Sequence, residues 1–219
     1  MNTDCFTRLL IGAIATLFLC TSYENAEGQE EPEVAQEELF EWDGCSNLDD
    51  WESSKDDGKD DWTINADGQL VCGALESNIF RRMVDLPEVV EIELEVSWDR
   101  NLDMVFGMGA PKEDGPFPVD PLPRIESWED ALVFSLQENF FVVKESISPD
   151  TKSLSLHIRL DRGKGNAIVR DTEGKLLVAA KGITFNENVV PGFVIQNKNG
   201  DLTVRRLVVR EVKKKGGSK

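Results

Sequence analysis

This chain lacks the basic residues to balance its acids. Its 219 residues include 41 Asp and Glu against 24 Lys and Arg, a formal net charge of −17. Affinity for polyanions needs clustered cations, so this balance argues against nucleic acid and anionic membrane surfaces as partners, leaving only a polyanion contact of the basic tail at 213–219 as an alternative. Histidine is almost absent: His157 stands alone and falls on the polar side of its segment beside Arg159. That leaves no His-based nucleophilic triad to assemble. No Gly-rich phosphate loop and no HExxH motif occurs, which removes nucleotide and zincin chemistry. No apolar run reaches the roughly 20 residues that a spanning helix needs. No segment holds helical periodicity for ten residues. What remains is 40% hydrophobic residues, enough for a packed core.

The N-terminus reads as an export signal. Arg8 precedes the apolar run Leu9 to Cys20, and a small-x-small site follows at Ala26-Glu27-Gly28. Residues 1–28 are therefore expected to be removed, with the product starting near Gln29 and carrying no integral membrane segment. Acylation at Cys20 is the rival reading, set back by the large Leu19 before it. Cys5 and Cys20 leave with the signal, and so does the only tyrosine, Tyr23. Cys45 and Cys72 remain. An even pair in an oxidising compartment predicts one disulfide, worth about 3–4 kcal/mol in the chain-entropy account. Two buried thiols are the alternative. A zinc site is not completed by two cysteines with no histidine nearby.

Residues 29–38 carry five acids and no base and read as a solvated linker. Residues 213–219, KKKGGSK, read as a frayed basic tail. Between them, 39–212 form one domain of strands. Val90-Glu91-Ile92-Glu93-Leu94-Glu95-Val96-Ser97-Trp98 alternates strictly, placing Val90, Ile92, Leu94, Val96 and Trp98 on one side and the glutamates on the other. Leu154–Leu160 and Leu102–Met108 alternate likewise. Shorter runs at Ala131–Leu136, Phe140–Val143, Leu176–Ala179 and Phe193–Ile195 add further strands. Turn signals stand at Asp67-Gly68, Asp161-Arg162-Gly163, Glu173-Gly174 and Asn199-Gly200. The last strand, Asp201–Val212, changes phase at Arg205-Arg206, which predicts a β-bulge. About a dozen strands with no crossover helix make an all-β, two-sheet antiparallel sandwich. One stretch, Pro111 to Asp130, breaks the rhythm with five prolines and Trp128, and is expected to be a long loop, either functional or a tolerated insertion.

Leu48-Asp49-Asp50-Trp51, Trp62-Thr63-Ile64 and Asp67-Gly68-Gln69-Leu70 resemble the opening of concanavalin A-like lectin/glucanase jelly rolls. Gly192–Asn197 and Gly200–Leu207 resemble the closing strands of that group, which includes laminin-G-like modules and 3-keto-disaccharide hydrolase domains. The resemblance implies two curved sheets and a carbohydrate-facing surface. Glu91-Ile92-Glu93-Leu94-Glu95 is similar to the E-I-D-I-E strand of family-16 glucanases, whose outer glutamates act as nucleophile and acid/base. By that likeness Glu91 and Glu95 become the catalytic candidates. Here Glu93 replaces the central Asp, and the aromatic-rich flank of a substrate cleft is missing. Retaining hydrolysis also requires carboxyl groups about 5–5.5 Å apart, whereas i and i+4 Cα atoms on a strand lie about 13 Å apart.

Lectin-like jelly rolls often bind calcium. Asp56-Asp57-Gly58-Lys59-Asp60-Asp61 is acidic enough to attract a hard cation, but Lys59 interrupts it and EF-hand spacing is absent. It reads as a solvated loop, so no cofactor is assigned. Among the tryptophans, Trp98 is in phase with the core, Trp51 and Trp62 match core positions of the resemblance, and Trp128 alone suits a sugar-stacking platform. The sequence thus predicts an exported, non-catalytic binding module for carbohydrate or glycan. A glycoside hydrolase using Glu91 and Glu95, or a structural or adhesive surface protein with no small-molecule site, are the alternatives.

Overall fold

The computed structural model describes residues 41–49, 51–53, 61–73, 78–111, 122–136, 139–183 and 189–212. The expected signal (1–28), linker (29–38) and tail (213–219), Asp56 to Asp60 of the candidate calcium loop and half of the proline-rich stretch lie outside them.

Fifteen strands and no α-helix occupy the described residues. They are β1 Glu41–Asp43, β2 Glu52–Ser53, β3 Trp62–Ile64, β4 Leu70–Cys72, β5 Asn78–Met83, β6 Val89–Trp98, β7 Met104–Pro111, β8 Arg124–Trp128, β9 Ala131–Leu136, β10 Asn139–Lys144, β11 Ser153–Asp161, β12 Asn166–Arg170, β13 Leu176–Lys181, β14 Val189–Asn197 and β15 Leu202–Glu211. Eight strands form one sheet in the order β13-β12-β11-β6-β15-β4-β3, with β1 also paired to β15. The other seven run β10-β9-β8-β7-β14-β5-β2. Every pairing is antiparallel, and the two sheets pack as a jelly-roll sandwich.

The alternating strand sets the core. Val90, Ile92, Leu94, Val96 and Trp98 of β6 are all buried, while Glu91, Glu93 and Glu95 between them are half-buried. Each such aliphatic side chain contributes about 1.5–3 kcal/mol on burial. Aromatic rings join the layers. Phe80 of the seven-stranded sheet stacks on Trp62 of the eight-stranded one at 5.2 Å and on Trp51 at 4.9 Å. Trp42 stacks on Phe193 at 5.3 Å. The phase change in β15 is a register shift between Val204 and Arg206, which keeps Val204 and Leu207 both in the interior.

Two expectations are corrected. Pro111–Asp130 is not one long loop, because Arg124–Trp128 is strand β8, paired with β7 and β9. Its alternation is hidden: Ile125 and Ser127 face inward, and Ser127 Oγ accepts a 2.8 Å bond from Met104 N. The outward residues of β8 include Arg124 and Glu126, which are themselves buried. The second correction concerns the disulfide. Cys45 and Cys72 are separate, buried thiols. Cys72 stands opposite Leu202, whereas Cys45 Sγ donates to Val204 O at 3.4 Å, level with the Val204–Leu70 pair. The Cys45 thiol is thus engaged by the backbone of β15, and the two cysteines are not bonded to each other. Burial pushes the Cys45 thiol up from its ordinary value, which keeps it protonated and unreactive.

Candidate functional site

The outer face of the seven-stranded sheet is unlike an ordinary solvated sheet surface. Strand register lays one row straight across it: Phe140, Ser135, Arg124, Gly107, Val194, Arg81 and Glu52. A parallel row runs Val142, Val133, Glu126, Val105, Gln196 and Ile79. The centre of both rows is buried. Arg124 Nε lies 3.1 Å from Glu126 Oε1, with both side chains only 8% exposed. Ser135 Oγ donates to the same carboxylate oxygen. Arg81 pairs with Glu52 and donates through its other terminal nitrogen to Pro111 O at 2.7 Å. Charged side chains can be held this deeply only when paired and hydrogen-bonded.

Leu122 helps close this centre. A Cβ placed on Gly107 would stand 3.0 Å from Leu122 Cδ1, and one on Gly109 3.4 Å from Leu122 Cδ2. The two glycines of β7 thus make the groove into which Leu122 folds, and Leu122 is fully buried there.

At the β10 side of the same face the surface opens. Trp128 is 45% exposed, Phe140 50% and Val142 55%. β9 lies between their strands, and the rings of Trp128 and Phe140 meet across it at 4.8 Å, inclined by 52°. Large apolar groups gathered on one exposed surface mark a binding face more often than a solvated one. A flat indole offers stacking area to the C–H face of a sugar ring, and nearby polar groups fix its orientation. Trp128, the candidate platform of the sequence, is exposed, although it ends a strand and does not sit in a loop. Phe140 was missed. Its signal was the run Phe140-Phe141-Val142-Val143: in a strand, four consecutive apolar residues must turn two outward.

The glutamate row lies on the outer face of the opposite sheet. Across the ladder, Glu91 faces Arg159 and Arg210, Glu93 faces His157 and Val208, and Glu95 faces Ser155 and Arg206. Arg206 Nε donates to Glu93 Oε2 at 2.6 Å, and Arg210 donates to Glu93 Oε1. Arg205 stands 3.8 Å from Glu95. Burial raises the Glu93 carboxyl, but the hydrogen bonds and charges of Arg206 and Arg210 outweigh it and hold the group below its ordinary value. No aromatic residue stands opposite these glutamates. Trp51, Trp62 and Trp98 are buried, and His157 is exposed. Among the described residues no group of three or more His, Cys, Asp or Glu side chains converges, and Asp56 to Asp60 of the candidate calcium loop lie outside them.

Comparison with solved structures decides the fold. The chain carries the concanavalin A-like jelly-roll fold. The VIP36 exoplasmic/lumenal domain, solved with Ca2+ and Man3GlcNAc, superposes with a TM-score of 0.54 at 7% identity, over 78% of this chain and 86% of that one. The Emp47p carbohydrate recognition domain gives 0.53 at 8% identity, over 80% and 96%. A sialidase gives 0.53 at 8% identity over 81% of this chain, which spans 19% of the sialidase's length. No protein-family model and no curated protein sequence matches the chain. Identities this low establish architecture, not activity. Among the described residues no helix is long and apolar enough to cross a membrane.

Proposed function

We propose that the chain is an exported carbohydrate-binding module in which residues 1–28 direct secretion, 39–212 form the binding domain, and the Trp128–Phe140 pair is the platform on which a glycan stacks. The observation that carries this reading is that exposed aromatic pair, adjoining a buried polar centre on one sheet face. The fold supports it as well, since the VIP36 and Emp47p domains are named for sugar ligands or sugar recognition. A non-catalytic role is favoured because Glu95 lies 3.8 Å from Arg205 and Glu93, between the two candidates, is held by Arg206 and Arg210.

A glycan array probed with the secreted protein, with and without calcium, tests the proposal. Wild type is expected to retain one group of glycans, and Trp128→Ala to lose them at least tenfold. An array that stays blank for wild type would sink the carbohydrate reading. Hydrolysis by wild type that disappears in Glu91→Gln would replace it with the enzyme.

A further inference from the structure

Trp128 is followed by a two-residue hairpin turn, Glu129-Asp130, closed by the Trp128–Ala131 pair. Glu129 has φ +55° and is the single non-glycine residue with positive φ among those described. A turn with positive φ at its first central residue only has the pattern of type II′, where that position ordinarily belongs to glycine. Holding a glutamate there costs stability, and such strain persists where the side chain has a use. The turn also contributes Glu129 and Asp130 to a cavity of about 280 Å³.

The cavity has mixed walls. Trp98 and Leu102 supply apolar surface, and Arg100, Asn101, Glu129 and Asp130 supply hydrogen-bonding groups. Its walls are tied down by bonds between segments. Trp98 N donates to Lys152 O at 3.1 Å, Lys152 Nζ to Arg100 O at 2.7 Å, and Ile147 N to Asp130 O at 2.5 Å. A preformed cavity loses little freedom when it is filled. At this volume it suits one small polar ring, near the lower limit for ligand pockets.

The geometry points to this cavity as the subsite for a single neutral sugar residue of the bound glycan, with the Glu129 carboxylate accepting from its hydroxyl groups. Carboxylates accept two hydrogen bonds side by side, which matches vicinal hydroxyls, and Arg100 and Asn101 donate to the acceptor oxygens. The lining has two carboxylates and one guanidinium. That guanidinium is itself paired with Asp99 at 3.5 Å, and the Lys152 ammonium is bonded to Arg100 O. This balance, in a chain of net charge −17, disfavours uronate or sialate residues. The inference rests on the carbohydrate reading above.

The test uses the full secreted chain, titrated calorimetrically with a neutral oligosaccharide retained on the array and with the same oligosaccharide ending in a uronate. Glu129→Gly is expected to melt at the same or a higher temperature than wild type, because the turn strain is relieved, yet to bind the neutral sugar at least tenfold more weakly. Asn101→Ala is expected to weaken it severalfold with melting unchanged. Wild type is expected to prefer the neutral sugar to the uronate at least tenfold. If Trp128→Ala abolishes binding while Glu129→Gly and Asn101→Ala bind like wild type, the subsite is overturned and the platform stands. Equal or tighter uronate binding overturns the charge argument. A lower melting temperature in Glu129→Gly means the glutamate serves the fold. If wild type binds neither sugar nor any other glycan, the carbohydrate reading itself has failed.

Discussion

The two outer faces of this sandwich are built on opposite plans. On the eight-stranded sheet, glutamates and arginines pair at the surface with side chains 23% to 47% exposed, so each charge keeps part of its water. On the seven-stranded sheet the charges sit beneath the surface, while tryptophan, phenylalanine and valine stand out of it. Water screening makes the first arrangement nearly neutral in energy. The second carries a large penalty for any unpaired charge and leaves apolar area for a partner. Position in the layers, more than residue type, decides which charges matter.

The contrast is sharpest at Glu126. Glu126→Ala leaves Arg124 buried without its carboxylate and is expected to cost about 3–5 kcal/mol, visible as a fall in Tm of roughly 10 °C. Replacing Arg124 and Glu126 together by leucines should recover most of that loss. A Glu126→Ala protein that melts with wild type would show the two faces to be energetically alike. Leu122→Ala comes next. Removing the side chain that fills the Gly107–Gly109 groove should cost about 2–4 kcal/mol, read by urea denaturation. Trp128→Ala addresses the exposed part of the same face. Glycan affinity should fall at least tenfold, about 1.4 kcal/mol or more, while Tm moves by no more than about 2 °C.

The smallest effect belongs to the opposite sheet. Glu93→Gln should cost under about 1 kcal/mol at neutral pH, and the deficit should depend on pH. The folded carboxyl is held below its ordinary value, near 4.3 for an unfolded glutamate. Its contribution is therefore complete above that ordinary value and disappears as pH drops through the depressed folded one. Wild type and Glu93→Gln should converge in strong acid, and a gap that widened there would contradict the Arg206 and Arg210 pairing.

Much of the architecture was legible because one face of each clear strand is uniformly apolar. The β6 alternation assigned five inward residues, the phase change at Arg205-Arg206 located the bulge, and Trp51, Trp62 and Trp98 were placed in the core. β8 and β5 were hidden for a common reason. Ser127 faces inward in β8, and Arg81 and Arg82 stand side by side in β5, so neither strand shows a simple period of two. The candidate platform was half legible. Trp128 stood out by elimination, but its contact with Phe140 crosses an intervening strand and depends on register, which no local pattern encodes.

The sequence by itself determined the all-β class, the inward set of the alternating strands and the acidic balance, since period and charge are local properties of the chain. Tertiary structure decided the rest. Sheet order set Arg124 and Glu126 under cover, put Arg206 and Arg210 beside Glu93, kept Cys45 and Cys72 apart, and brought Trp98 to one cavity with the Glu129 turn. Each of these depends on which strands become neighbours, and that is settled only when distant segments pack to exclude water.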